Sequence, residues 1–364
     1  MENKEQILSL LDRKHNVILM GAPGTGKSRL INEVSEAFLS NTGKITNPSH
    51  NVGAAVPIPA TKKAGIQVSF LKKNNRRVFR TTLHQNSKYR DFLTGIVPSI
   101  ITAGGFQINE GILYRANEFA KQEDSAALLI IDEINRGPAV EVFGGSIVAI
   151  ENDKRLSDDN KVLPTTQTFE IVNPIDGKMV EYAFSPNLYI LAAMNQADVS
   201  VAPLDVAFLR RWQPYKLRPD YDIVANKYGI NLSQKTPDVP TSQQDIIGVA
   251  VRALREINKK ITIGRGEDYQ LGHGVFLASE PKDNTLDATL EFVLETWSMI
   301  YSHIEELFFG DVESIAFIVG ANKDSSPYET LEANFAGEMK IILSAKEINK
   351  DNIYKLYAAI EEKD

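Results

Sequence analysis

The sequence Gly-Ala-Pro-Gly-Thr-Gly-Lys-Ser at residues 21–28 constrains the fold of this chain more than any other stretch. It matches the pattern G-x-x-x-x-G-K-S, follows the apolar run Val17–Met20, and precedes apolar residues at helical spacing through Leu39. Strand, glycine-rich turn and helix in that order predict a phosphate-binding loop. The alternative, an ordinary glycine turn before a helix, is disfavoured by the spacing and by both flanks.

Such a loop predicts a site for a nucleoside triphosphate and Mg²⁺. Glycines let backbone N–H groups close around phosphates, and the helix that follows adds the positive end of its dipole. Lys27 would reach the terminal phosphates and Ser28 would give Mg²⁺ a hydroxyl ligand. The predicted nucleotide-binding residues are Gly21, Pro23, Gly24, Thr25, Gly26, Lys27, Ser28 and Arg29.

Polar residues follow two more apolar runs. Ala126–Ile131 is too apolar for a solvated face, which predicts a central strand of a parallel sheet, and Asp132 and Glu133 come next. We expect Asp132 to hold Mg²⁺, partly through water, and Glu133 to polarise the attacking water. The run Leu188–Met194 ends at Asn195, which could orient that water, although a turn residue at a strand end is the competing interpretation.

Arg210 and Arg211 end a predicted helix that begins near residue 202. Arginine suits a γ-phosphate because its guanidinium is always charged and offers a planar fork of donors. At a subunit edge, either arginine could complete the site of a neighbouring copy. The alternative is a basic helix end that is favourable to the helix dipole.

These elements predict an α/β fold, a P-loop NTPase parallel sheet flanked by helices, over residues 1–217. Within it we predict a basic loop insertion at 41–77, a helix from Gly137 to about Asn152, and a β-hairpin at 166–184.

Residues 218–364 are predicted to form a mainly helical lid domain. Ser242–Asp245 is typical of a capping box that opens a helix. His273 lies in a glycine-punctuated loop and is interpreted as a structural histidine.

Charge is uneven along this chain of net charge −7. Between Ala37 and Arg90 there are ten Lys or Arg and no Asp or Glu, which suggests a surface that meets a polyanion. The absence of cysteine excludes disulfides and thiolate metal sites. No apolar run reaches membrane-spanning length, so we expect a cytoplasmic protein without a membrane partner.

In their order, these elements resemble an AAA+ NTPase, and several segments resemble the McrB family of restriction GTPases. Those segments are Leu129–Gly137, Val142–Gly144, Ile150–Arg155, Asn187–Ile190, Met194–Asp198, Leu204–Ala207 and Arg210–Arg211. The flanking segments that are similar to the family are Leu83–Asn86, Gly272–Phe276 and Glu306–Asp311. The resemblance spans residues 5 to 311.

The resemblance places the family signature Met-Asn-x-Ala-Asp on Met194–Asp198. Asn195 would then be the sensor that positions water, and Asp198 a member of the same catalytic network. Family members form hexameric rings that use GTP. They are stimulated by a McrC-like nuclease subunit, with which they translocate on and cut modified or foreign DNA. The resemblance therefore implies GTP, or else ATP, with Mg²⁺, a homo-oligomeric ring, and a part in restriction and antiviral defence.

Three departures from the family pattern stand out. Val199 occupies a position where the family usually has arginine, which bears on the usual contacts with the stimulating partner. The arginine triplet is here Leu209-Arg210-Arg211, which leaves the arginine finger open between two residues. The phosphate loop begins at residue 21, so we expect no DNA-reading domain before the motor. DNA would then be met through a partner or through the basic segment 41–90.

Two other functions compete with this one. The first is a MoxR-like ATP-driven chaperone or protein remodeller. The second is a nucleotide-switch scaffold with little turnover, which the presence of both Asp132 and Glu133 disfavours.

Overall fold

The structure, a computed structural model, describes residues 3–40, 68–99, 104–197 and 204–361. The chain forms two compact units, one of Met1–Met20 and Lys27–Lys216, the other of Gly21–Gly26 and Leu217–Asp364. The predictions that concern residues 41–67 and Asp198 lie outside the described residues.

The first unit contains nine strands and six helices in its described residues. The strands are β1 (Asn16–Met20), β2 (Asn75–Thr82), β3 (Thr94–Pro98), β4 (Phe106–Glu110), β5 (Ser125–Asp132), β6 (Phe169–Val172), β7 (Met179–Tyr182), β8 (Leu188–Met194) and β9 (Gln213–Lys216). The helices are α1 (Asn3–Lys14), α2 (Lys27–Leu39), α3 (Tyr89–Phe92), α4 (Ile112–Ala120), α5 (Ala139–Phe143) and α6 (Val206–Leu209).

A five-stranded parallel sheet in the order β2-β5-β8-β1-β9 is the centre of this unit. Strands β1 and β8 are buried along their whole length and β5 along all but its last residue, because a parallel sheet covered on both faces has no solvated side. The register pairs Met20 with Met194 and Thr82 with Asp132. The residues that follow these strands therefore leave the sheet at one edge, and the predicted α/β class is confirmed.

Two antiparallel hairpins accompany the sheet. Strands β6 and β7 pair at the position where the sequence predicts a hairpin. Strands β3 and β4 form a second hairpin that the sequence analysis did not anticipate.

The predicted helix from Gly137 to Asn152 is wrong beyond its first turns, because α5 ends at Phe143. Gly144 has φ +47°, which lies outside the helical region. A Cβ at Gly144 would lie 2.8 Å from Cδ2 of Tyr89, so the ring also requires glycine there. The predicted helix that ends at the two arginines is likewise shorter, because α6 ends before Arg210.

The second unit is mainly helical in its described residues. Its elements are α7 (Tyr221–Tyr228), α8 (Gln243–Gly264), α9 (Leu286–Leu307), α10 (Val312–Val319), β10 (Tyr328–Phe335), β11 (Glu338–Ala345) and α11 (Ile353–Glu361). Apolar side chains of α8, α9 and α11 form its core. The predicted capping box is present, since Ser242 accepts from the N–H of Asp245 and the Asp245 carboxylate accepts from the N–H of Ser242. In neither unit does a described helix have the length and apolar character of a membrane span.

Candidate functional site

The phosphate loop, Gly21–Gly26, connects β1 to α2 and needs glycine at two positions. Gly24 has φ +75° and Gly26 has φ +89°, in the left-handed region that side chains disfavour. Oγ1 of Thr25 donates to the carbonyl oxygen of Ala22 at 2.9 Å, which closes the loop on itself. Pro23 and Gly24 are exposed at its tip.

Lys27 begins α2, and its surroundings make it a poorly solvated cation. Burial lowers the pKa of Lys27 to about 8, and the charge of Glu133 opposes this shift. A cation held this way gains from a further anion, such as a phosphate.

The two residues after Lys27 are exposed on the first turn of α2. Ser28 presents its hydroxyl near the start of the helix. Nε of Arg29 lies 2.8 Å from Oε1 of Glu33, an exposed pair of the kind that contributes little to stability.

Asp132 and Glu133 come at the end of β5, as the sequence predicts, but their environments differ. Burial raises the pKa of Asp132, and the charge of Arg80 opposes that rise. Glu133 has φ +52°, a left-handed conformation that costs energy in a residue with a side chain. Its Oε1 accepts from Nδ2 of Asn195 at 3.1 Å, and its Oε2 lies 3.3 Å from Nε of Arg136. The carboxylate is therefore held between two donors.

Asn135 is a residue that the sequence analysis missed. It is 8% exposed, and its Nδ2 donates to the backbone oxygen of Asn195 at 2.9 Å. Oδ1 of Asn135 and Oδ1 of Asn195 are buried and accept no hydrogen bond from the part of the chain that the structure describes. Two signals in the sequence point to it, its position two residues after the acid pair and its place in the segment Leu129–Gly137. Free amide oxygens beside a carboxylate can orient a water molecule.

Two oxygen-bearing side chains of this site suit Mg²⁺ as ligands. Mg²⁺ prefers oxygen ligands, keeps several waters, and often takes one or two protein ligands besides substrate phosphates. Ser28 and Asp132 offer a hydroxyl and a carboxylate of this kind. Across the described ranges, no three His, Asp or Glu side chains converge into a cage of their own. A metal here would therefore depend on the nucleotide for further ligands.

The two arginines after α6 have different environments. Nε of Arg211 lies 3.0 Å from Oε1 of Glu151, and the Arg211 side chain is 8% exposed. Its Nη1 also donates to the carbonyl oxygen of Ala207. Arg210 is exposed, and its side chain has no hydrogen bond or ion pair with any residue that the structure describes. Arg211 is thus held within its own unit, whereas Arg210 is available to another molecule.

Several cations of the basic segment have partners within the fold. Arg76 is buried and donates to the carbonyl oxygen of Ser40 at 2.8 Å, and Arg80 donates to Oγ of Ser35 at 2.9 Å. The guanidinium of Arg77 lies 4.8 Å from the ring centroid of Phe79. These three cations have intramolecular partners, which leaves fewer for a polyanion.

The chain is similar to one family of AAA domains and to components of two restriction enzymes. The model of the AAA domain, dynein-related subfamily, matches residues 63–212. The chain is 28% identical over 308 residues to the EcoKMcrB subunit of a type IV methyl-directed restriction enzyme from Escherichia coli K12, covering 84% of this chain and 57% of that protein. It is 32% identical over 212 residues to the YdiS component of the type II restriction enzyme BsuMI from Bacillus subtilis 168, covering 54% of this chain and 55% of that protein.

The chain thus spans somewhat more than half the length of these two relatives. Among solved structures, C. elegans PCH-2 is similar at 13% identity with a TM-score of 0.34, over 82% of this chain and 67% of that one.

Proposed function

Because this chain is a McrB-like AAA+ protein, we propose that it is the nucleoside triphosphate-hydrolysing motor subunit of a McrBC-like DNA restriction and phage-defence system. The proposed nucleotide is GTP, the proposed active form is a hexameric ring, and the proposed partner is a McrC-like nuclease subunit. The contact between Glu133 and Asn195 carries the proposal. A scaffold that only bound nucleotide would gain nothing from a strained glutamate held in one orientation.

In the proposed reaction, water attacks the γ-phosphorus, its proton passes to Glu133, and the bond to the β–γ bridging oxygen breaks. Asn195 and Asn135 orient the water, and Lys27 offsets charge on the phosphate oxygens. Ser28 and Asp132 would hold Mg²⁺, which would supply Lewis acidity toward those oxygens.

Arg210 of a neighbouring copy is proposed as the arginine finger, since it is exposed and Arg211 is engaged with Glu151. Asp198 is proposed for the same catalytic network from the family signature alone. DNA is proposed to contact the segment 41–90 or a partner subunit. Lys72 and Lys73 are the cations of this segment that lead into β2, and Lys72 is exposed.

The test compares GTP and ATP hydrolysis by the purified chain alone, with DNA, and with the co-purifying products of adjacent genes. We expect GTP hydrolysis to be faster than ATP hydrolysis and to be stimulated by DNA or by the nuclease partner. Glu133→Gln should keep nucleotide binding while turnover falls at least about 100-fold, because a positioned base contributes roughly 10²–10⁴. Glu141→Gln is the matched control, since Glu141 is an exposed acid on α5.

ATP preference with indifference to DNA would favour the MoxR-like remodeller. Unchanged turnover in Glu133→Gln would remove Glu133 from the mechanism.

A further inference from the structure

A short segment of the second unit, Leu271–Gly274, holds two carbonyl groups of the phosphate loop. The N–H of Gly272 donates to the carbonyl oxygen of Pro23 at 2.9 Å, and the N–H of Gly274 donates to that of Gly24 at 2.8 Å. The two bonds fix the direction of two consecutive peptide groups.

The geometry of the peptide unit also fixes the direction of two backbone N–H groups of the phosphate loop. A peptide unit is planar and trans, so its N–H points opposite to its C=O. With the carbonyls of Pro23 and Gly24 directed at the segment, the N–H groups of Gly24 and Thr25 point away from it. Convergent N–H groups on the free side of such a loop are what bind phosphate oxygens.

Glycine is required at positions 272 and 274 because the backbone of Gly24 lies too close to both for a side chain. A Cβ on Gly272 would lie 2.0 Å from the carbonyl carbon of Gly24, and a Cβ on Gly274 would lie 2.7 Å from its oxygen. Gly272 has φ −71°, which any residue can adopt, so backbone conformation is not the reason for glycine there.

The segment is itself anchored from two sides. Asn258 of α8, 1% exposed, donates from Nδ2 to the carbonyl oxygen of Leu271 and accepts from its N–H through Oδ1, both at 2.8 Å. His273, 4% exposed, accepts from the N–H of Asp220 through Nδ1 at 3.0 Å. Buried partners of this kind hold the segment in one position.

We propose that Gly272–Gly274 is a positioning element for the phosphate loop, which orients the amides of Gly24 and Thr25 for a triphosphate. This rests on the proposed function, and it gives roles to His273 and the two glycines that the catalytic proposal leaves unused. Asn258 and His273 act as positioning residues through the segment.

The test measures the dissociation constant of a non-hydrolysable GTP analogue, kcat and KM for GTP, and the melting temperature. Gly272→Ala should weaken binding about tenfold or more, from the loss of hydrogen bonds to the loop, and raise KM while kcat at saturation changes little. Gly145→Ala is the matched control and should bind normally, because its Cβ would meet nothing nearer than 3.8 Å. A folded Gly272→Ala variant with wild-type affinity would overturn the proposal.

Because Gly272→Ala could disturb folding, His273 provides a second series. His273→Asn keeps an acceptor close to the position of Nδ1 and should retain affinity within about threefold, whereas His273→Leu should lose it. Equal affinity in the two variants would count against the proposal.

Hydrogen exchange of the Gly272 and Gly274 amides tests the contact without nucleotide. Both should be protected in the wild type, and Gly272→Ala should lose protection at Gly274. If the wild-type amides exchange freely, the positioning element is refuted. If the wild type shows this protection but binds no nucleotide, the proposed function fails and the contact stands.

Discussion

Nδ2 of Asn195 donates a hydrogen bond to Oε1 of Glu133 at 3.1 Å, and this bond joins the ends of the neighbouring strands β8 and β5. Each residue follows directly on a strand of the parallel sheet, so the sheet register sets their approach. The bond leaves Oδ1 of Asn195 buried without a donor among the described residues. One amide can therefore orient the carboxylate and still accept a hydrogen bond from water.

Replacing Asn195 by aspartate should disturb the orientation of Glu133 and leave nucleotide binding intact. Asn195→Asp removes the donor and sets a second carboxylate against Glu133, so turnover should fall about 10–100-fold while analogue binding changes little. The measurement is kcat together with the dissociation constant of a non-hydrolysable analogue. Asn231→Asp is the matched control, because the side-chain oxygen of Asn231 accepts from the N–H of Ser233 and aspartate keeps that bond. Full turnover in Asn195→Asp would show that the contact is not used.

The sequence predicts an element correctly where its apolar pattern matches the burial of that element, or where the bonds that form it are local. The strands β1, β5 and β8 were predicted because their apolar runs match strands that are covered on both faces. The capping box at Ser242 was predicted because its two bonds are local. Asp132 ends β5, and Glu133 and Asn195 directly follow strands, so their common edge could be inferred from a parallel sheet alone.

The failures of prediction come from contacts between distant segments. The helix after Pro138 stops at Gly144, whose φ of +47° is not helical, and the ring of Tyr89 leaves no room for a side chain there. No local signal in the sequence reports that ring. Arg155 is 2% exposed and donates to the carbonyl oxygens of Ser185 and Leu188 and to Oδ1 of Asn16. An arginine in a charged run such as Asp153–Arg155 is ordinarily expected on the surface, so sequence reasoning does not find a buried one.

The two arginines after α6 should respond differently to alanine substitution. Arg211→Ala leaves Glu151 without its partner and should lower the free energy of unfolding by roughly 1–3 kcal/mol. Arg210→Ala should change stability by less than about 0.5 kcal/mol and lower kcat on the order of 10³-fold, as expected for an arginine finger. Urea denaturation and steady-state hydrolysis measure the two effects.

Mixing tests whether Arg210 acts on a neighbouring copy. An Arg210→Ala subunit combined with a Lys27→Ala subunit restores one complete site where the intact Lys27 meets the intact Arg210. Partial recovery of activity in the mixture is expected, and no recovery would argue against action between copies.

Lys72 and Lys73 of the basic segment should contribute to DNA affinity through counterion release. Changing Lys72 and Lys73 to glutamine should reduce the slope of log affinity against log salt by about 1–2, because each phosphate contact contributes about 0.7–0.9. Fluorescence anisotropy over a salt series gives the slope. Glutamine at Lys346 and Lys355 is the matched control, since both are exposed lysines of the second unit. An unchanged slope in the first variant would make this part of the segment an ordinary solvated surface.

His15 should make the stability of the first unit depend on pH. Burial, with the charge of Arg155, lowers the pKa of His15 to about 3, whereas a histidine in the unfolded chain titrates near 6.5. Between these values the unfolded chain binds one more proton than the folded chain, so the free energy of unfolding falls as the pH falls. The expected loss approaches about 1.4 kcal/mol per pH unit once the pH is about one unit or more below 6.5.

His15→Asn should remove this dependence, and asparagine is suitable because His15 has φ +61°, a conformation that asparagine tolerates. Nε2 of His15 donates to the carbonyl oxygen of Pro186 at 2.8 Å, so the variant should be less stable than the wild type at pH 7.5. The difference between the two proteins should then shrink by about 1 kcal/mol from pH 6.5 to 5.5 and stay constant above pH 7.5. Urea denaturation at these pH values supplies the comparison, and parallel curves below pH 6.5 would mean that His15 is protonated in the folded protein.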